Sequence, residues 1–213
     1  MPISFTQLTG AATLEGSLRW QVRHSILAAE YCLERAQEAV YSLLRVREMV
    51  TRATGTILTG ASTITLPTRM LEPISVWRTG EWKGEINLLD QQHFEERLGE
   101  DDTSTPYEGT PTEATYDATT LYLNTKADQD YAYRVWYIGA PALLTSLAPS
   151  NSVTDRYGHI IEAMALHYAW ADRQDNDAKA NAALEKAMGF ITKANEEADM
   201  FRQSIRTEAY WSN

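Results

Sequence analysis

Cysteine is nearly absent from this chain, with Cys32 as its one representative. A single thiol excludes an intramolecular disulfide and fits a reducing compartment. It sits within a helical apolar pattern, where it reads as a small buried hydrophobe. Long apolar runs are missing too: no stretch reaches the roughly 18 residues of a membrane span, so no membrane association is expected. The opening MPISFTQLTG lacks both the basic start and the apolar core of a secretory signal, and none is expected there.

Cations are also in short supply. The chain carries 19 Lys and Arg against 29 Asp and Glu, a net charge of −10. Residues 1–80 hold 8 basic and 6 acidic side chains, and residues 81–213 hold 11 and 23. Nucleic-acid binding draws on clustered Lys and Arg that release counterions, so this chain is not built to grip phosphates. An acidic surface serves solubility, and it equally suits a wall that a DNA duplex passes without sticking.

The constellations of catalysis are absent as well. Nothing matches GxSxG, a phosphate-binding GxxxxGK[ST], or GxGxxG after a strand. The four histidines, His24, His93, His159 and His167, lack the spacing of a zinc site, although Glu162 lies near both His159 and His167 on one helix. Asp101-Asp102 and Glu95-Glu96 are adjacent carboxylates that read as solvated charges. A hydrolase would need a cleft joining Glu162 with a second carboxylate. The expectation is a non-enzyme with no catalytic residue, no cofactor and no metal.

What is present is a layout. With 213 residues and 44% hydrophobic content, the chain can bury a substantial core. From Thr13 as cap, Leu14, Leu18, Val22, Ile26, Ala29, Leu33, Ala36, Val40 and Leu43 step by threes and fours, which predicts one long helix or two abutting helices, ending near Val50–Arg52. Thr54–Leu58 and Ser62–Leu66, around Thr59-Gly60-Ala61, read as a hairpin stopped by Pro67. Further strands are expected at Ile74–Thr79, Ala114–Asn124 and Tyr131–Ile138, and a short helix capped by Asp90 and ended by Gly99. In the last strand Tyr131, Tyr133, Val135 and Tyr137 share a face opposite Arg134 and Trp136.

Residues 99–112 read as an acidic loop and Gly139–Ser152 as a connector. A capping box at Ser152–Asp155 opens an antiparallel helix pair that turns at 173–177. Its first helix should bury Ile160, Ile161, Met164, Tyr168 and Ala171. The second, running to about Arg206, should bury Leu184, Met188, Ile191, Ala194, Ala198, Phe201 and Ile205. The predicted class is α+β, mainly α. Residues 1–52 and 153–206 form a helical bundle body, 53–152 a small antiparallel β-rich insertion with one short helix, and 207–213 a C-terminal tail. Arg45, Arg47 and Arg52 cluster at the helix-to-strand junction, where they either complement the helix dipole or pair with the acidic bulk of another subunit. Tyr210 and Trp211 stand in the tail as candidate docking aromatics.

One run of motifs resembles a known family. The helix ending in Leu44–Met49, then Ala53–Leu58, Gly60 and Leu66-Pro67, is similar to the head-to-tail adaptor (connector) proteins of tailed bacteriophages. Gly109-Thr110-Pro111, Leu121, Leu123, Tyr131–Tyr137, Pro141-Ala142-Leu143 and the Ala-rich closing helices extend the likeness over roughly residues 25–195. Asn124-Thr125-Lys126-Ala127 and Asp155-Arg156-Tyr157-Gly158 depart from the pattern, both at turns. The resemblance implies a mechanical virion protein without cofactor. Its copies would form a ring, commonly a dodecamer, between the portal protein and the tail or nozzle proteins. Such a ring extends the channel through which DNA passes without specific binding. It implies synthesis in the host cytoplasm and residence at the head–tail interface. The other readings of the residues are a related tail-completion or stopper protein, and an acidic binding module holding a sugar or peptide on Tyr131, Tyr133 and Tyr137.

Overall fold

The computed structural model describes residues 5, 9, 26–98, 107–172 and 177–211. The expected helix start at Thr13, the Gly99 terminator, most of the acidic loop and the 173–176 turn lie outside them. In chain order the elements are α1 (Ile26–Leu43), β1 (Val50–Ile57), β2 (Thr63–Thr65), β3 (Met70–Arg78), β4 (Gly84–Leu88) and α2 (Gln91–Leu98). There follow β5 (Glu108–Gly109), β6 (Glu113–Tyr116), β7 (Thr120–Leu123), β8 (Lys126–Ala127), β9 (Tyr131–Gly139), α3 (Thr154–Ala171) and α4 (Asp177–Trp211). They divide into a helical unit, Met1–Met49 with Ala140–Asn213, and a β unit, Val50–Gly139.

In the helical unit α3 packs along both α1 and α4. The contact faces are built of small side chains: Ala29, Cys32 and Ala36 on α1, Ala163, Ala165 and Ala169 on α3, and Ala187, Ala194 and Ala198 on α4 are all buried. Such residues let helix axes approach closely, while Leu33, Val40, Ile160, Ile161 and Ile191 supply bulk. Each large apolar side chain buried in this way contributes about 1.5–3 kcal/mol. Cys32 is fully buried; its thiol is pushed up to about 11 by burial first and then by the Asp172 carboxylate, whose Oδ2 lies 3.7 Å from Sγ. Several expected core positions lie at the surface instead: Leu43 and Met188 are exposed, as is Ala171, and Tyr168 and Leu184 are half-buried. On α4 the alanines face the neighbouring helix, which turns the larger Met188 outward. Phe201 and Ile205 lie beyond the described side chains.

Helix α1 stops at Leu43, well before the expected Val50–Arg52. Two groups end it. Asn195 on α4 accepts the Arg45 backbone N–H at 2.7 Å and donates from Nδ2 to the Leu43 carbonyl at 3.0 Å. The Arg45 guanidinium donates to the carbonyls of Ser42 and Leu44. The orphan carbonyls of the last turn are thereby satisfied by side chains. Arg47–Met49 then forms a single 3-10 turn before β1.

The connector between the units' boundary at Ala140 and α3 is tied to α1 through buried polar groups. Gln37, only 1% exposed, accepts the Leu144 N–H at 2.5 Å and donates to the Leu33 carbonyl at 3.3 Å. Asn151 donates to the Tyr41 hydroxyl and to the Ala142 carbonyl, and its Oδ1 accepts the N–H groups of Val153 and Thr154. Asn151 thus does the capping expected of Ser152, whose hydroxyl instead donates to the Glu48 carbonyl. At Tyr157 the backbone leaves helical values (φ −114°, ψ 16°), so the first turn of α3 is kinked from the rest.

The β unit overturns the expectation of a mainly helical bundle body with a small β-domain. Its strands make one seven-stranded sheet, ordered β1-β9-β3-β4-β6-β7-β2, which curls into a nearly closed, barrel-like form. The two edge strands, β1 and β2, are consecutive in sequence. From Ile57 to Thr63 the chain can span at most about 22 Å, whereas a flat seven-stranded sheet would separate its edges by about 29 Å. The short connection therefore requires curvature.

It follows that β1 and β2 are not a hairpin. The turn is real, with Gly60 at φ +81° and the Ala61 N–H on the Leu58 carbonyl. The strands on either side, however, pair elsewhere: β1 runs antiparallel to β9 from Val50↔Ile138 to Ile57↔Tyr131, and β2 pairs with β7. The expected strand Ala114–Asn124 is two, β6 and β7. They are separated by a turn in which Asp117 Oδ1 accepts the N–H groups of Thr119 and Thr120. Strand β4, which pairs in parallel with β6, and the two-residue ladder of β5 and β8 have no counterpart in the sequence reading. Inside the sheet Ile57, Ile64, Leu66, Val76, Ile86, Leu121, Leu123, Tyr131 and Val135 form one core.

Replacing Gln37 by leucine keeps the volume but leaves the buried Leu144 N–H without its acceptor. The variant is expected to lose about 1–3 kcal/mol of stability, read as a lower midpoint in urea denaturation; an unchanged midpoint would mean the connector is not held this way.

Candidate interaction surfaces

The arginine cluster divides when its members are placed. Arg45 is half-buried and spends its Nη1 on its own helix end, as the dipole reading expected. Arg47 is exposed in the 3-10 turn of the helical unit. Arg52 belongs to the β unit; it is exposed on β1, in register with Trp136. Residues 207–211, expected to leave the helix as a tail, continue α4 through Trp211; the side chains of Tyr210 and Trp211 lie outside the described ones.

The aromatic strand face is turned toward the core of the sheet. Tyr131 is buried, and Tyr133 and Tyr137 pack against the same core. The Tyr131 hydroxyl is occupied by Asp128 at 2.6 Å and Thr110 at 2.9 Å. Glu162 lies half-buried beside His159, and among the described residues no group of three or more His, Cys, Asp and Glu side chains could hold a metal ion. Nor is any described helix long and apolar enough to cross a membrane.

A groove of about 270 Å³ opens between the first half of α3 and the middle of α4. Tyr157, Ile160, Phe190 and Ala194 form its apolar lining, with His159, Arg156, Lys193 and Glu197 around it. The kink at Tyr157 and the small Ala194 leave this space between the two helices. His159 meets the Phe190 ring edge-on, with centroids 4.8 Å apart, and Lys186 Nζ lies 5.8 Å from the same ring. Arg156 donates to Glu48 Oε1 at 3.0 Å, and that carboxylate's hydrogen bond is the first cause holding the guanidinium above its ordinary pKa. Glu48 Oε2 is buried without a hydrogen-bond partner among the described residues. Burial, and then the Glu48 charge, push the Tyr157 phenol up.

The groove was missed in the sequence because its signal is split. Arg156 and His159 are three apart on one helix, and Phe190, Lys193 and Glu197 step by three and four on another. Only the packing of α3 on α4 joins the two sets. The site has a mixed-charge lining around an apolar floor, a composition suited to protein contact.

A family model described as SU10 adaptor protein matches residues 4–208. Among curated proteins, none matches the chain.

Two histidines titrate in opposite directions. His93 is raised above its usual value by its hydrogen bond to Asp90, 2.5 Å away, whose own pKa is lowered chiefly because it also caps α2 through the His93 N–H. His159 is lowered, by burial first and then by Lys186, against the opposing Glu162. The His93 contribution to stability is therefore complete below the unfolded histidine pKa and lost as pH rises through the raised folded value. That of Asp90 is present above the unfolded carboxylate pKa and lost as pH falls through the lowered one. The His159 contribution is present above the unfolded histidine pKa and lost as pH falls through its lowered folded value. In an NMR titration His159 should give up its proton at lower pH than His93. In Asp90→Asn, which retains a capping side chain, His93 should return to the ordinary imidazole range; no movement would remove the Asp90 contact.

Proposed function

This chain belongs to the SU10 adaptor protein family, a phage head-to-tail adaptor family, and we propose that its copies form a dodecameric ring between portal and tail. It is a structural protein of a bacteriophage and a virion component that works with other head and tail proteins. In the proposed assembly the ring docks beneath the portal protein, extends the DNA channel and offers a platform to the tail or nozzle proteins. The protein is made in the host cytoplasm and ends at the head–tail interface. The observation that carries this reading is a family match running from residue 4 to residue 208, through both units.

Physical chemistry supports it. Residues 81–213 hold 11 basic and 23 acidic side chains, so a channel lined by this chain would repel the duplex and let it pass without specific binding. The proposed role is non-enzymatic and needs no cofactor. Arg45, Arg47 and Arg52 are proposed as contacts to a neighbouring subunit or the portal, with Arg45 the least available because its guanidinium already serves α1. Tyr210 and Trp211, at the end of the 35-residue α4, are proposed as docking aromatics.

Electron microscopy of portal-bearing capsids mixed with the purified protein should show a ring of density at the portal vertex; a vertex that stays bare defeats the reading. Deleting residues 207–213 should reduce the fraction of decorated vertices several-fold while leaving the unfolding midpoint unchanged. Undiminished decoration would remove the C-terminal aromatics from the contact set.

A further inference from the structure

We propose that, within such a ring, the groove between α3 and α4 of one subunit receives the outer face of α1 from the next, with Tyr31 as anchor and Glu34 and Glu38 meeting Lys193 and Arg156. The proposal rests on the ring reading and names the contact that closes it.

The two surfaces are complementary in shape and charge. The groove has an apolar lining with two aromatic members, Tyr157 and Phe190, and at about 270 Å³ it falls below the usual range of small-molecule pockets, suiting a side chain. Around it the cations Arg156, Lys193 and Lys186 stand among the acids Glu197 and Glu162, so an incoming carboxylate has Lys193 and Arg156 to meet. Glu48 offsets part of the Arg156 charge from behind, while the Lys193 side chain is exposed. On α1 Tyr31 is 56% exposed, and Glu34 and Glu38 are exposed three and seven residues on, along one side of the helix. The Arg35 guanidinium lies 5.5 Å from the Tyr31 ring and 4.3 Å from the Tyr168 ring. It holds the exposed ring in place before any partner arrives, which lowers the cost of ordering it on contact. Rigid aromatics flanked by charge are the usual anchors of protein interfaces.

Placement completes the case. Because α3 packs along both α1 and α4, it lies between them, so the outer face of α1 and the α4 wall of the groove sit on different flanks of the unit. A contact joining two different patches is heterologous, and repeated around a rotation axis it generates a ring rather than a two-fold dimer.

The test is charge reversal read by ring assembly in sedimentation and negative-stain microscopy. Glu34→Lys and Lys193→Glu should each lower ring yield about tenfold, and the double variant, which restores the pair with signs exchanged, should recover it. Circular dichroism melts report that each variant is folded. As an independent measurement, Glu34→Cys combined with Lys193→Cys should form a disulfide between subunits under mild oxidation, and neither single variant should. Wild-type-like assembly of both single variants, or no recovery in the double, overturns this contact while the ring reading stands. Rings that form normally in Lys193→Glu but fail to join a tail protein give the groove to that partner and overturn it as well. A wild-type protein that never closes into a ring, even with portal-bearing capsids, overturns both.

Discussion

The β unit depends on the pairing of β1 with β9. Eight residue pairs, from Val50↔Ile138 to Ile57↔Tyr131, join the first strand of the unit to its last. This ladder places the entry and exit of the chain side by side, so that the intervening residues 58–130 form a closed excursion (a long loop closed at its base costs only slowly more entropy as it lengthens). Strand β9 is itself central, paired on its other side with β3. It therefore carries the register from the edge strand β1 to β3, while the other edge, β2, takes its register from β7. The buried Tyr131 and Val135 face inward from it, and Gly55, opposite Tyr133, has no side chain because an added Cβ would sit 2.7 Å from the Tyr133 hydroxyl.

The helical unit solves a different problem. Its helices meet through alanines, which bury little surface each but allow close approach. What directs the packing is a small set of buried polar groups. Gln37 and Asn151 hold the connector to α1, and Asn195 both ends α1 and ties that end to α4. The same close packing, interrupted by the kink at Tyr157, leaves the α3–α4 groove. An adaptor gains from such an arrangement because a rigid unit presents its contacts preorganised.

Local signals in the sequence were readable where they are short-range. Asp90 caps α2 as its side chain dictates, and the alternation of Tyr131, Tyr133, Val135 and Tyr137 marks the inward face of β9. Gly60 marks a turn, and it is one. What the turn connects was not readable: β1 has the better partner in the nine-residue β9, far along the chain, and β2 in β7. Strand β4 escaped notice because its five residues carry a single buried position, Ile86. Glu48 and Arg156, 108 positions apart, showed nothing of their ion pair.

The amino-acid sequence by itself determined the helical and extended segments, their main turns, the acidic surplus and the likeness to phage adaptors, because each follows from side chains near one another along the chain or from composition. Only the tertiary structure decided that the strands close into a barrel-like sheet, that the tyrosine face is turned to its core, and that Asn195 ends α1. It also brought Tyr157 and Phe190 together to line a groove. These outcomes turn on which distant segments bury the most surface against each other, a competition among long-range partners that local periodicity cannot rank.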